Sequence, residues 1–412
     1  MFPQRLEPNH SPVPAGRDLA LEGLRGFAAL MVLYAHLATS MRQLDPGYAP
    51  GPGWWRFEFA SGAVLLFFVL SGYVIGLTNR RPPSAAAVHG FWWRRFWRLF
   101  PINALAVGLA WLALPATAPG ALLGNLFFLQ NSQPILGQRV PLLAANPNLW
   151  SLHYEVIYYL LFPVVWSLRP RVGLLLGGLL GFAALRLGVP GLAYFANLAA
   201  GACFWLAGLW LAWCTESDVE ADAGGAWPSA LLLFFVTCKL HVAEIFSQRV
   251  GLDFPWAPEV NLWHLDLLPS AVLLVAAIAG RVPPGRKLCL WLAAAIPGGR
   301  ILWQMHAQMS WPLADIRLYA ACWIGALALL IWHPSRRPWI RLAPVGAFSY
   351  SLYAMAAPIQ TWQLRQTWLP AGNTPSYLLR LVLVVLFAGM VAWFAETKLQ
   401  PRLVARVYPR LP

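Results

Sequence analysis

The sequence predicts an all-α polytopic transmembrane helical bundle of ten to twelve spanning helices, with both termini in the cytoplasm. Three observations predict it. Of the 412 residues, 59% are hydrophobic and only 11% charged, against about 25% charged in an ordinary globular domain. Apolar runs recur from end to end, each near the roughly 20 residues a spanning helix needs. Many of the 23 Trp, among them Trp54, Trp55, Trp92, Trp93, Trp150, Trp227 and Trp368, stand near the ends of those runs, where interfacial aromatic belts form.

The expected spans, in order, cover residues 19–40, 61–78, 100–117, 150–168, 172–187, 192–213, 228–246, 265–281, 288–305, 311–332, 344–364 and 376–396. Pro and Gly interrupt the runs 172–213 and 288–332, so either can hold a tilted or re-entrant piece; this sets the lower count of ten. Residues 1–18 read as a flexible cytoplasmic segment, 19–397 as one integral membrane domain, and 398–412 as a basic cytoplasmic tail. Residues 1–18 lack the charged start, apolar core and small-residue cleavage site of a signal peptide, so the first helix is expected to remain as an anchor. No internal repeat or low-complexity tract is evident.

The basic residues orient the chain. With an even number of spans and a cytoplasmic N-terminus, most of the 30 Lys and Arg fall on the inner side, as the positive-inside rule requires. They cluster as Arg80–Arg81, Arg94–Arg95–Arg98, Arg169–Arg171, Arg281–Arg286–Lys287 and Arg336–Arg337–Arg341, followed by Lys398, Arg402, Arg406 and Arg410. The acidic loop 214–227 does not contradict this, since acids contribute little to topology. The same rule accounts for the net charge of +14. A nucleic-acid partner is not expected, because no soluble basic domain exists to hold one. The five Cys are scattered, with no Cys/His metal spacing, and read as buried free thiols; no metal is expected.

The first span, LEGLRGFAALMVLYAHL, carries charge where lipid tolerates little. Arg25 and His36 are eleven positions apart, close to three helical turns, so they share one face about 16 Å apart along the axis. Arg25 then lies roughly two turns from the inner end and His36 in the outer half of the bilayer. Glu22 precedes Arg25 by three residues, at ion-pair spacing. Intramembrane charge costs several kcal/mol, so this face must look onto a cavity or polar partners. Singly, His36 reads equally as an interhelical hydrogen-bonding residue, and Arg25 as a side chain snorkelling to the headgroups.

This stretch resembles the first helix of the acyltransferase-3 family of membrane O-acyltransferases, with its GLRG and Arg-x10-His pattern; Glu22 stands where the family usually has Asp. Further stretches agree in order. LLFFVLSGYVIG (65–76) is similar to the family's FFVLSG signature, although Ser71 and Gly72 by themselves indicate only close helix packing. RRFWRLFP (94–101) is similar to its RxxR motif, met by Arg95 and Arg98. By themselves these read as a positive-inside cluster, yet two guanidinium forks on one helix face also suit phosphate oxygens. NLWSLHYEVIYYLLFP (148–163) resembles WSLxxExxFY with Glu155 as its glutamate; Val156 stands where a second acid is common. GAFSYSLYAMAAP (346–358) resembles SYSLYLxHxP, but Ala356 occupies the place of the His. WFAETKLQP (393–401) resembles the closing helix, with Glu396.

The resemblance implies transfer of an acyl group, usually acetyl, from cytoplasmic acyl-CoA to a hydroxyl of an extracytoplasmic or lipid-linked carbohydrate, in a bacterial inner membrane. Acyl-CoA, most simply acetyl-CoA, is then a donor substrate rather than a permanently bound cofactor. Exopolysaccharide, O-antigen or a lipid-linked precursor is the acceptor class, and lipid the surrounding partner. His36 would serve as base or as transient acyl carrier, Arg25 would offer positive charge along the route, and Glu22 would hold Arg25. Glu155 would pair with His36 or orient the acceptor, while Arg95 and Arg98 would hold the CoA phosphates. The missing late His puts the role of its helix in the site in question. The residues alone leave a transporter or flippase of a lipid-linked glycan as the alternative, since it too places charge in a cavity. No broken-helix pair that would favour it is visible in the sequence.

Overall fold

The computed structural model describes residues 18–39, 44–48, 51, 53, 56–132, 136–137, 139–186, 192–215, 225–243, 245, 264–306 and 313–407. Helix is the dominant state and no strand occurs among these residues. Trp54, Trp55, most of the acidic 214–227 loop and residues 1–17 lie outside the described set.

The helices follow the expected order. They are α1 (Leu19–Thr39), α2 (Ala60–Thr78), α3 (Ala85–Ala113), α4 (Pro119–Leu126), α5 (Trp150–Ser167), α6 (Val172–Arg186), α7 (Ala193–Cys214) and α8 (Trp227–Leu240). Then come α9 (Leu268–Ala279), α10 (Arg286–His306), α11 (Leu313–Ala328), α12 (Arg337–Gly346), α13 (Ser349–Leu364), α14 (Thr374–Phe394) and α15 (Gln400–Val407). Among the described residues six helices are long and apolar enough to span a membrane, or seven if one bent pair counts as a span. Shorter apolar helices run over 172–183, 227–240 and 265–279. The chain is thus a polytopic helical membrane protein.

Local chemistry sets several boundaries. Asp18 caps α1, its Oδ1 accepting from the Ala20 amide at 2.8 Å. Ser84 caps α3 by accepting from the Ala87 amide at 3.2 Å. Asn373 and Ser376 form a reciprocal capping box at the start of α14, which satisfies two of the orphan amides there. Gly280, at φ 64°, closes α9 in the left-handed conformation, which glycine adopts without strain.

Two elements depart from the expected spans. The run 344–364 is two helices, α12 and α13, bent by 58° at the break between Gly346 and Ser349. Helix α3 starts at Ala85 and runs 29 residues, so Arg94, Arg95 and Arg98 sit within it, ahead of the expected start at residue 100.

Backbones approach closely at two places, both built on glycine. Helix α1 packs on α12 and α2 packs on α7. A Cβ on Gly23 would overlap the Trp339 carbonyl oxygen, and one on Gly346 the Glu22 carbonyl oxygen. Likewise a Cβ on Gly72 would overlap the Trp205 carbonyl oxygen, and one on Gly208 that of Val69. Association of helices in lipid relies on such small-residue contact because lipid tails are as apolar as Leu. Gly23→Ala is therefore expected to lower the thermal unfolding temperature of the detergent-solubilised protein. The overlap, costing about 1–3 kcal/mol, exceeds the roughly 1 kcal/mol of helix propensity that Ala gains. Gly177→Ala, on α6 where a Cβ meets nothing, is expected to leave the temperature unchanged or raise it.

The basic clusters gather on one face. Arg336 pairs with Asp18, Arg80 donates to the Ala212 carbonyl at 3.2 Å, and Arg281 donates to that of Thr215 at 3.3 Å. Gln400, at the start of α15, donates to the Arg98 carbonyl at 2.6 Å. Helix α14 covers the perimeter, and its Val382, Leu386, Phe387, Met390 and Trp393 are exposed, as lipid-facing residues should be.

Candidate functional site

The end of the bundle nearest Asp18 holds a cavity of about 540 Å³ between α1, α2, α3, α5 and α13. Its lining includes Glu22, Arg25, Arg95, Arg98 and Glu155. Five of the six side chains singled out in the sequence therefore meet in one chamber. His36 does not line it.

Arg25 sits where α1 crosses the α12–α13 break. Its Nη2 reaches Glu22 Oε2 at 2.7 Å and the Gly346 carbonyl at 2.7 Å, and its Nε donates to Ser349 Oγ at 3.0 Å. Gly346 ends α12, so its carbonyl carries the partial negative charge of a helix C-terminus. The other side of the break is matched in the opposite sense. Glu396 Oε2 accepts from the Ser351 amide at 2.9 Å in the first turn of α13, where a carboxylate complements the positive helix end. The GLRG motif thus does two things: Gly23 and Gly26 admit the α12 backbone, and Arg25 between them bonds its last carbonyl.

Arg95 and Arg98, three residues apart on α3, both line the cavity. The Arg95 guanidinium stacks over the Phe91 ring at 5.4 Å and the Tyr159 ring at 5.3 Å. Among the described residues neither side chain makes a hydrogen bond or an ion pair, although both are half-buried. Two half-buried guanidinium groups with unused donors on a cavity wall form a site for an anion, and phosphate matches the fork geometry.

Glu155 does not contact His36. Its Oε1 accepts from Ser71 Oγ at 3.0 Å and from the Tyr159 hydroxyl, and those two hydroxyls lie 3.0 Å from each other. Ser71, which the sequence alone assigns to packing, is thus a polar partner of Glu155; Gly72 beside it does the packing. Tyr159 went unassigned, but it lies four residues after Glu155, on the same helix face. Ser349, Tyr350 and Tyr353 complete the wall, so α13 contributes to the chamber despite Ala356, which is buried one turn beyond Tyr353. His153 is engaged elsewhere, bonding the Phe128 carbonyl and the Tyr194 hydroxyl, each at 2.7 Å.

His36 lies farther along α1, about 16 Å beyond Arg25 on the helix axis. Its backbone carbonyl accepts from Gln360 Nε2 of α13 at 3.3 Å. The half-buried imidazole makes no hydrogen bond among the described residues. Nearby, at the start of α2, Glu58 accepts from the Ala60 amide at 2.6 Å and pairs with Lys239 at 3.7 Å. The site therefore has two parts, a chamber lined by three arginines and three carboxylates at one end and an uncommitted imidazole toward the other. Among the described residues no three His, Cys, Asp or Glu side chains converge on a metal position.

Among curated proteins and among solved structures, none matches the chain. A family model, acyltransferase 3, described as an acyltransferase domain, matches residues 18–395. That stretch takes in the cap of α1, every wall of the chamber, His36 and the end of α14. A chamber built from the motif residues of the family and a match over nearly the whole chain lead to one assignment: the chain belongs to the acyltransferase-3 family and is a membrane acyltransferase.

Proposed function

We propose that the protein moves an acyl group, acetyl in the simplest case, from acyl-CoA at the cytoplasmic face to a hydroxyl of an extracytoplasmic or lipid-linked carbohydrate, in a bacterial inner membrane. The observation that carries this reading is the pair Arg95 and Arg98, without a hydrogen bond or ion pair among the described residues, on the wall of a cavity that also receives the positive end of α13. Such a wall suits the phosphates of a nucleotide-bearing donor. The basic clusters on the same face support placing that mouth, and both termini, in the cytoplasm.

The rest of the chamber fits the remainder of the donor. Val64, Phe67, Phe68, Leu70 and Val74 of α2 make one side of the cavity apolar, which suits the extended pantetheine arm. Glu155 holds the Ser71 and Tyr159 hydroxyls in fixed positions, where they would hydrogen-bond the amides of that arm. The thioester would then reach toward His36. There the imidazole takes the proton of the acceptor hydroxyl as its oxygen attacks the thioester carbonyl; the C–S bond breaks and the proton passes to the departing CoA thiolate. In the carrier version His36 attacks first and holds the acyl group until the hydroxyl displaces it. Arg25, engaged by three groups, positions the broken helix and adds its charge to the chamber.

Arg95→Gln and Arg98→Gln are each expected to weaken acetyl-CoA binding to the purified protein about tenfold or more. Hydrogen bonds to charged groups contribute about 1.5–3 kcal/mol each. Calorimetric titration of acetyl-CoA into the detergent-solubilised protein makes the comparison. Affinity equal to the parent in both variants refutes the phosphate role.

A further inference from the structure

A second cavity, of about 340 Å³, opens on the same face of the bundle, between α8, α9, the start of α10 and the segment after α11. None of the residues of the first chamber lines it. Its interior is apolar, with Leu233, Leu273, Leu290 and Leu330 among its walls, while Arg281, Arg286 and His333 stand at its edge. No carboxylate lines it.

Two features call for an anion there. Arg286 and Lys287 open α10, at the helix end that already carries partial positive charge and disfavours cations. The Arg286 and His333 side chains are exposed and have no hydrogen-bonding or ion-pairing partner among the described residues.

The surroundings select the source of the anion. Val282, Leu288, Trp291, Ile331 and Trp332 flank the basic edge and are 52% to 87% exposed. An opening bordered by such side chains faces hydrocarbon rather than water. A cavity this size, at the lower end of the roughly 300–1,000 Å³ of small-molecule sites, admits a headgroup and the top of one acyl chain but not a whole lipid.

We propose that this cavity is a binding site for an anionic glycerophospholipid of the bilayer. The phosphate sits between Arg286 and His333, Arg281 stands at its inner edge, and the first acyl chain enters the leucine-lined interior. The lipid thereby joins α8, α9 and α10 at the membrane surface. The site is independent of the donor chamber and of the reaction proposed for it.

Native mass spectrometry of the full-length protein, released from micelles doped with phosphatidylglycerol or phosphatidylcholine, tests this. One phosphatidylglycerol is expected to remain bound at lipid levels where phosphatidylcholine does not. Arg286→Gln combined with His333→Ala should weaken that binding tenfold or more, whereas Arg341→Gln, an exposed arginine of α12 on the same face, should not. Soluble glycerol phosphate should fail to displace the lipid. Equal retention of the two lipids by the parent protein overturns the proposal whatever the variants do. Full displacement by glycerol phosphate overturns the lipid as its source.

Discussion

Replacing His36 with alanine is expected to lower acyl transfer by about two to four powers of ten, the range a positioned acid–base group supplies, while leaving thermal unfolding unchanged. The second half of the expectation follows from the surroundings of the side chain. The imidazole is half-buried and makes no hydrogen bond among the described residues, so its removal orphans no buried partner. The helix at this point is held by other atoms: the His36 carbonyl accepts from Gln360, and the next carbonyl, of Leu37, accepts from the buried Tyr377 hydroxyl at 2.9 Å. Alanine also favours the helix. Activity and stability should therefore separate. Rapid-quench labelling with acyl-CoA in the absence of acceptor then distinguishes the two schemes. A carrier releases CoA and leaves one acyl group on the protein, lost in His36→Ala, whereas a base leaves none. Transfer above a tenth of the parent rate in His36→Ala rules out both.

The part of this site that could be read from sequence is the part set by helix period. Glu22 and Arg25, three apart, pair at 2.7 Å, and Arg95 and Arg98, also three apart, share one cavity wall. Periodicity acts within one helix, and what it could not supply are the relations between helices. The pairing of Glu155 with Ser71 depends on how α5 meets α2, and no spacing within either helix encodes that. The face shared by Arg25 and His36 is real as helix geometry, yet His36 is not among the residues that line the chamber. The break at Gly346 was hidden because apolar residues continue through it and Pro344 precedes it by two positions. A run of suitable length reads as one span even when its first residues, 344–346, belong to the preceding helix. The glycines of GLRG held a usable clue, since two such residues flanking an arginine indicate close approach of another backbone, though not whose.

Replacing Arg25 with alanine is expected to destabilise the protein as well as inactivate it, in contrast to His36→Ala. Arg25 and Glu22 are only 16% and 13% exposed, so removal of the guanidinium leaves a carboxylate and the Gly346 carbonyl without the partner they share. Breaking a buried pair by deleting one member costs on the order of 3 kcal/mol, with little relief from solvent here. Ser349 keeps its own bond to the Gly346 carbonyl at 2.9 Å, so the break itself should persist, with a looser joint between α12 and α1. Lysine would restore the charge facing Glu22 but cannot place donors on Glu22, Gly346 and Ser349 at once, since its ammonium is a single point where arginine is a planar fork. Arg25→Lys should then unfold between the parent and Arg25→Ala, and acetyl-CoA binding should fall in the same order, because the first turn of α13 forms one wall of the chamber. Thermal unfolding and donor titration on the same preparations make the comparison. Should Arg25→Ala unfold at the parent temperature and still lose donor binding, the guanidinium acts on the substrate and not on the helix break. The three bonds that engage it, to two helices and its own, argue for the opposite result.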